Sequence, residues 1–287
     1  MEGYLEDKYH SLLETIRRSE SALVAFSGGV DSALLAYAAK EALGYDNVLC
    51  VTARFASFPE REFRDAAAFC EEHGMRHRAV EFDEFGVEGF SANPANRCYL
   101  CKSGLMSMFA RLADEAGLEA VFEGSNADDE GDYRPGMQAV LELGAKSPLR
   151  EAGLAKSDIR AISKGLGLKT WDRQSFACLA SRFAYGEEIT EGKLGMVDEA
   201  ERFLLDRGFG PVRVRIHGQG HYTARIEALP GGIERLAAEP LRSETEAYFK
   251  SLGFTWVSLD LAGYRSGSMN EALGAENARG SIGDIGI

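Results

Sequence analysis

The chain has 287 residues, 45% of them hydrophobic, enough apolar material for a full core and two domains. A formal net charge of −13 argues against broad contact with nucleic acid, because phosphate contacts supply much of that affinity. No apolar run approaches the length of a membrane helix, and the charged start, Met1-Glu2-Gly3-Tyr4-Leu5-Glu6-Asp7-Lys8, has no signal-like apolar region. A cytoplasmic protein is therefore expected.

In chain order, residues 5–18 read as an amphipathic helix. Ala22-Leu23-Val24-Ala25-Phe26 is a short apolar run of buried-strand type. Ser27-Gly28-Gly29-Val30-Asp31-Ser32 follows. Its two glycines permit a turn that a side chain would obstruct, and strong helix formers come next, over 33–40. Strand, glycine turn and helix together aim unpaired backbone N–H groups and a positive helix end at one point, which suits a phosphate. No lysine follows the glycines, so a GxxxxGK[ST] loop is excluded, and GxGxxG is absent as well.

A second apolar strand is expected over 47–53, a helix over 60–72 and a third strand over 78–82. This alternation predicts an α/β fold with a doubly wound parallel sheet, whose ligands sit outside the carboxyl ends of the strands. Thr52 and Ala53 fall at that edge. Cys50 in a strand and Cys70 in a helix read as small buried hydrophobes.

The next stretch is richer in chemistry. Cys98 and Cys101 enter a helix running to about residue 115, and two intervening residues put both sulfurs on one side of a turn. A CxxC flanked by Arg97 and Lys102 points to a metal, cluster or redox site. A fourth strand over 120–124 runs into an acidic segment, 128–132, suited either to Mg²⁺ and polar nucleotide groups or to a solvated loop. A helix is expected over 158–164. Cys178 then lies in a loop-like stretch near Asp172, Ser181 and Arg182, a poor core position and a good reactive one. The odd count of five cysteines favours thiol or metal chemistry over structural disulfides.

Beyond this point a helix over 191–207, alternating strands over 212–217 and 222–229, a helix over 233–252 and a strand over 255–259 make a smaller α+β region. Arg213 and Arg215 fall on one strand face as a candidate anion site. The glycine-rich tail after Glu271 is expected to be disordered. The domain boundary is placed between 1–175 and 176–287.

The loop Ser27–Ser32 resembles the SGGxDS pyrophosphate loop of the PP-loop ATP pyrophosphatase superfamily. Further matches follow in order: Gly124-Ser125-Asn126-Ala127-Asp128-Asp129 with Gly131-Asp132-Tyr133-Arg134-Pro135-Gly136, then Ser147-Pro148-Leu149, then Ala177-Cys178-Leu179-Ala180-Ser181-Arg182 with Tyr185-Gly186. With these, nearly the whole chain resembles the LarE family, ATP-dependent sulfur transferases of nickel-pincer nucleotide cofactor synthesis.

The resemblance implies adenylation of the carboxylates of pyridinium-3,5-dicarboxylate mononucleotide and their conversion to thiocarboxylates, with ATP and Mg²⁺. It implies nucleotide binding at Ala25, Phe26, Ser27, Gly28, Gly29, Asp31, Ser32, Thr52, Ala53 and Gly124. Cys178, Ser181 and Arg182 would be catalytic. Arg97, Arg213, Arg215 and Glu201 would bind substrate, with Glu227 as a further acidic position. Cys98, Cys101 and Cys178 match the members whose three thiolates hold a [4Fe–4S] cluster, the fourth iron carrying sulfide. The alternative is sacrifice of Cys178, which gives up its own sulfur and becomes dehydroalanine. A homo-oligomer is implied, with a hexamer as the candidate assembly. The competing functions are tRNA thiolation, opposed by the net charge; amide formation, which leaves the three site-like cysteines without a role; and a nucleotide-sensing or iron–sulfur carrier protein.

Overall fold

The computed structural model describes residues 3–129, 135–174, 177–265 and 268. The chain divides into two compact units, one holding residues 1–87 and 98–176, the other 88–97 and 177–287.

The first unit contains α1 (Gly3–Ile16), β1 (Ala22–Ala25), α2 (Val30–Leu43), β2 (Val48–Arg54), α3 (Glu60–Glu72), β3 (His77–Glu81), α4 (Arg97–Glu115), β4 (Ala120–Phe122), α5 (Pro135–Glu142), α6 (Pro148–Glu151) and α7 (Lys156–Gly165). Arg97, the first residue of α4, belongs to the second unit. The four strands form one parallel sheet in the order β3-β2-β1-β4, with Ala22 registered on Val48 on one side and on Ala120 on the other.

Alternation along the strands decides which helix packs where. Ala22, Val24, Cys50 and Phe122 point to one face and pack with Leu12 and Ile16 of α1, Leu34 and Leu35 of α2, Ala66 and Phe69 of α3, and Ile159 and Ile162 of α7. Leu23, Leu49, Val51 and Val121 point to the other face, against Met106, Phe109 and Leu112 of α4 and Val140 of α5. Both faces are covered, so the strands read as continuous apolar runs rather than alternating ones. Each fully buried leucine here stabilises by roughly 1.5–3 kcal/mol.

α2 and α3 thus lie on one face and α4 on the other, and the strand order reverses direction between β1 and β4. That reversal is the topological switch point, where the carboxyl ends of two neighbouring strands diverge and leave a crevice. The doubly wound sheet expected from the sequence is present.

The second unit contains α8 (Glu191–Leu205), β5 (Val212–His217), β6 (Tyr222–Ala228), α9 (Pro230–Ala237), α10 (Leu241–Ser251) and β7 (Phe254–Leu259). Its sheet runs β5-β6-β7, antiparallel between β5 and β6 and parallel between β6 and β7. Val214, Ile216, Ala224 and Ile226 are buried in the strands, as are Leu194, Val197, Ala200 and Leu204 of α8 and Phe249 of α10.

Two expectations need correction, and two helices are additions. The single helix over 233–252 is two helices, α9 and α10. Ala238 is extended (φ −91°, ψ 148°), and Pro240, which has no N–H to give to a preceding turn, stands just before α10. α5 and α6 are additions to the expected elements; proline fits the first position of a helix, and it stands there in both. α7 begins at Lys156, two residues before its expected start. Residues 130–134, which include the end of the acidic run, and the tail after Glu271 lie outside the described residues. Among the described residues no helix is long and apolar enough to cross a membrane.

Candidate active site

The carboxyl end of β1 carries the glycine loop. Phe26 N–H donates to the Val51 carbonyl (2.9 Å), one last rung of the sheet before the chain turns away. Gly28 has φ +72°, and a Cβ built on it would lie 2.9 Å from the Ala66 Cβ of α3, so glycine is required both by backbone conformation and by space. Gly29 precedes the first turn of α2 and its carbonyl accepts Ala33 N–H (2.9 Å), but as the N-cap residue it has no side chain to cap that helix end. Its first N–H groups are therefore left for another acceptor. The Ser32 hydroxyl donates to the Gly29 carbonyl (3.2 Å) and shares a hydrogen bond with the Ser27 hydroxyl (3.1 Å), which places two hydroxyls on the inside of the loop.

β4 ends beside this loop. A Cβ on Gly124 would sit 3.3 Å from Ser32 N and 3.4 Å from Asp31 Cβ, so the β4 chain passes close against the first turn of α2. Asn126 then reaches back, its amide donating to Asp31 Oδ1 (3.2 Å). Asp128 N–H donates to Asn126 Oδ1 (3.0 Å), Lys156 N–H donates to Asp128 Oδ2 (2.8 Å), and the Lys156 ammonium is paired with Asp31 Oδ2. These four residues close a ring of hydrogen bonds at the mouth of the loop. Asn126 lies within a motif already noted in the sequence. Lys156 does not, and nothing local marks it, since its partner stands 125 residues away.

β2 runs beyond the paired part of β1. Val51 turns its carbonyl to Phe26, and Ala53, two residues on, turns its backbone the same way past the last registered pair, Ala25 with Val51. Thr52 turns toward β3, and its buried hydroxyl bonds His77 Nε2 (2.9 Å). Of the two expected adenosine neighbours, Ala53 has the orientation for backbone contact at the crevice. The loop after β2 is pinned by Glu84, a buried carboxylate that accepts Ser57 N–H and the Ser57 hydroxyl, each at 2.6 Å.

A second buried acid, Glu123, stands at the end of β4. It accepts Ser125 N–H (3.1 Å), the Ser125 hydroxyl (2.8 Å) and the Ser147 hydroxyl (2.6 Å), and pairs with Lys102 (3.2 Å). Burial pushes its carboxyl up, but Lys102 and the three hydrogen bonds outweigh that and hold it below the usual carboxylate range. Lys102 follows Cys101 on α4, so Glu123 ties the cysteine-bearing helix to the end of β4.

In the second unit the expected site residues are held by a buried charge network. Arg182 is fully buried and grips Glu201 through Nε–Oε1 and Nη2–Oε2 bonds, both 2.8 Å. Its remaining nitrogen donates to the carbonyls of Ala177 (2.6 Å) and Cys178 (3.2 Å) and to the Ser181 hydroxyl (2.8 Å). Arg182 thus shapes the backbone that presents Cys178. Burial pushes the Glu201 carboxyl up; Arg182, Arg213 and the Val214 N–H together hold it low.

Arg215 is 4% exposed, donates to the Ser181 carbonyl (2.8 Å) and to Glu227 (2.7 Å), and keeps a buried Nε with no hydrogen-bond partner among the described residues. Arg213 is more open and lies 5.2 Å over the Tyr264 ring. Burial and the neighbouring cations Arg182 and Arg215 push its guanidinium down, and Glu201 and Tyr264 offset only part of this. Arg97 is buried, bonds Asn93 and the Ala180 carbonyl (2.9 Å), and lies over the Tyr185 ring, fastening segment 88–97 to the stretch after Cys178.

The five cysteines form no disulfide. Cys50 and Cys70 are buried, and hydrogen bonding to Cys70 together with burial pushes the Cys50 thiol well up, as befits a packing residue. Cys98 is exposed and Cys101 half-buried, both near the start of α4, while half-buried Cys178 belongs to the second unit. Among the described residues no group of three or more His, Cys, Asp or Glu side chains is gathered to hold a metal ion.

Comparison with known proteins bears on these features. The NAD synthase family model matches residues 4–96, the part of the chain that carries the glycine loop. An uncharacterised protein of Synechocystis sp. is 42% identical over 269 residues, 94% of this chain and 99% of its own length. The pyridinium-3,5-bisthiocarboxylic acid mononucleotide synthase of Lactiplantibacillus plantarum is 36% identical, over 94% of this chain and 96% of its own. A glutamine-hydrolysing GMP synthase chain from Thermoplasma acidophilum is 29% identical over 71% of this chain and 69% of its own length.

Proposed function

The chain belongs to the LarE family of PP-loop enzymes, and from that premise we propose that it is the sulfur transferase that turns the carboxylates of pyridinium-3,5-dicarboxylate mononucleotide into thiocarboxylates. The observation that carries the reading is the uncapped Ser27–Ser32 loop at the β1/β4 switch point, in a chain that matches the bisthiocarboxylic acid mononucleotide synthase over nearly its whole length.

The chemistry needs two displacements. A substrate carboxylate oxygen attacks the α-phosphorus of ATP, the bond from that phosphorus to the bridging oxygen breaks, and pyrophosphate leaves with the electron pair. A sulfur nucleophile then attacks the acyl carbon and AMP departs. In this proposal the loop residues Ser27, Gly28, Gly29, Asp31 and Ser32 receive the pyrophosphate, with backbone at Ala25, Phe26, Ala53 and Gly124 and the neighbouring Thr52 around the nucleoside. The loop N–H groups are fixed by the sheet and α2 before reaction, so they stabilise the departing charge without reorganising. Mg²⁺ is expected to accompany the nucleotide, with the Asp31 carboxylate as its candidate ligand.

Arg213 and Arg215, supported by Arg97 and Glu201, are the proposed phosphate and substrate contacts. Crowded guanidinium groups and the Arg215 Nε, which has no hydrogen-bond partner among the described residues, both favour an anion. Ser181 and Arg182 position Cys178. Cys98, Cys101 and Cys178 are proposed as thiolate ligands of a [4Fe–4S] cluster; three thiols outside disulfides suit iron chemically, and the cluster would supply an iron site for sulfide. Anaerobic reconstitution tests this finer point. About four irons per chain, more than one turnover with sulfide and an unchanged Cys178 mass are expected. Loss of one H₂S mass from Cys178, with at most one sulfur delivered per chain, would replace the cluster by sacrificial chemistry.

A further inference from the structure

Glu84 is a carboxylate only 1% exposed, and no step of the proposed reaction uses it. One of its oxygens accepts the Ser57 N–H and the other the Ser57 hydroxyl, each at 2.6 Å, and Ser57 is itself fully buried. Ser57 stands in the turn that leaves β2. There Phe58 N–H donates to the Phe55 carbonyl (2.9 Å), and Pro59 is the residue before α3. The pair thus ties this turn to the chain beyond β3, 27 residues on.

The turn follows directly on Ala53 and Arg54, at the carboxyl end of the sheet where the switch-point crevice opens. The Arg54 carbonyl accepts Phe82 N–H (2.9 Å). Phe55 stacks on Phe58 with ring centroids 5.5 Å apart and meets the Phe82 ring edge-on at 5.9 Å. Phe55 and Phe82 also pack against the core that Met106 and Phe109 of α4 help to form. An aromatic turn seated in this way needs no buried acid to stay folded, and burying a carboxylate is costly unless its hydrogen bonds are made. What the acid adds is direction, because two hydrogen bonds from one residue to one carboxylate fix the orientation of that residue's backbone.

We propose that Glu84 is a positioning residue for the nucleoside half of the bound nucleotide, acting through Ser57 to hold the backbone that leaves Ala53 in its binding geometry before the ligand arrives. The inference rests on the proposed ATP-dependent reaction and adds a residue that lies outside the glycine motif. A turn fixed in advance leaves no ordering cost to be subtracted from affinity.

The test is calorimetric binding of AMP and of inorganic pyrophosphate to the wild-type chain, Glu84→Gln, Ser57→Ala and Ser57→Thr, each below its melting temperature. Glu84→Gln keeps the size of the side chain but turns an amide N–H₂ toward one of the two Ser57 donors. Glu84→Gln and Ser57→Ala should each bind AMP about tenfold more weakly, with pyrophosphate binding unchanged. Ser57→Thr, which retains both donors, should stay close to wild type. A lowered melting temperature with AMP binding of wild-type strength would make the pair a structural tie and overturn the inference. Equal weakening of AMP and pyrophosphate would overturn it too, because that reports a loosened unit rather than a misplaced nucleoside. Binding of neither ligand by the wild-type chain overturns the nucleotide reading as well. The wild-type chain also supplies a check that needs no variant. Without nucleotide, the Ser57 amide should already be protected from hydrogen exchange to the degree seen with AMP; fast exchange without AMP and slow exchange with it would show that the ligand, not Glu84, orders the turn.

Discussion

Arg182 and Glu201, both fully buried in the second unit, meet through two parallel hydrogen bonds of 2.8 Å. The same guanidinium holds the carbonyls of Ala177 and Cys178, and the same carboxylate accepts Val214 N–H (2.9 Å) of β5. One ion pair therefore fixes the cysteine-bearing segment to the small sheet. Removing one partner strands the other charge away from water, which costs roughly 3–5 kcal/mol. Glu201→Leu and Arg182→Met should each lower the unfolding free energy in urea by that order, and the double variant should lose less than the sum of the two. Additive losses would show that the pair does not act as a unit.

Gly28→Ala should damage the glycine loop itself. An alanine there meets both the left-handed backbone (φ +72°) and the Ala66 Cβ at 2.9 Å. The strain is on the order of 1–3 kcal/mol, and the loop can relieve it only by moving the N–H groups proposed to hold pyrophosphate. Thermal melting and ATP titration should both worsen. Ala66→Gly in the same chain should restore part of the stability, because it removes the contact but not the backbone strain.

Asp31→Ala and Ser32→Ala should each cut substrate-dependent AMP formation by about 100-fold or more while leaving the far-ultraviolet spectrum unchanged. The Ser32 hydroxyl meets Ser27 across the loop, the Asp31 carboxylate meets Asn126, and neither belongs to the hydrophobic core. AMP formation at the wild-type rate in both variants would mean that the phosphates bind elsewhere.

Much of this is readable in the sequence, and the limits have physical causes. β1, β2, β4 and α3 are apolar or amphipathic runs bounded by glycine, proline or polar residues, so periodicity locates them to within a residue or two. The break between α9 and α10 is marked by Pro240, but helical periodicity on both sides of it hides the mark. The glycine loop and Cys178 stand out by residue type. Lys156, Glu84 and Glu123 do not, because their meaning lies in partners brought together by the fold: Asp31, Ser57, Lys102 and Ser147. A buried carboxylate looks the same in sequence as a solvated one. Arg215 likewise reads as an open cation on a strand, but the fold buries it against Glu227 and Ser268.

Glu123 should make stability depend on acid pH. Its folded-state carboxyl is held below the ordinary value of 4.5 despite burial, chiefly by Lys102 and the serine hydrogen bonds. A depressed value means that the stabilisation is present above the ordinary carboxylate range and is lost as pH falls through the folded-state value. The unfolding free energy should therefore decline with acidification below about 4.5. Glu123→Gln should flatten that decline and lower stability at neutral pH, because the amide no longer pairs with Lys102. Parallel curves for the two proteins would remove Glu123 from the account.

The central claim is tested most directly by incubating the anaerobically reconstituted chain with ATP, Mg²⁺, sulfide and pyridinium-3,5-dicarboxylate mononucleotide, and following AMP and the nucleotide product by mass spectrometry. AMP should form only when the mononucleotide is present, and the product should gain one sulfur for each oxygen lost, up to two. AMP formation independent of that substrate, or substrate recovered with both carboxylates unchanged, would contradict the account.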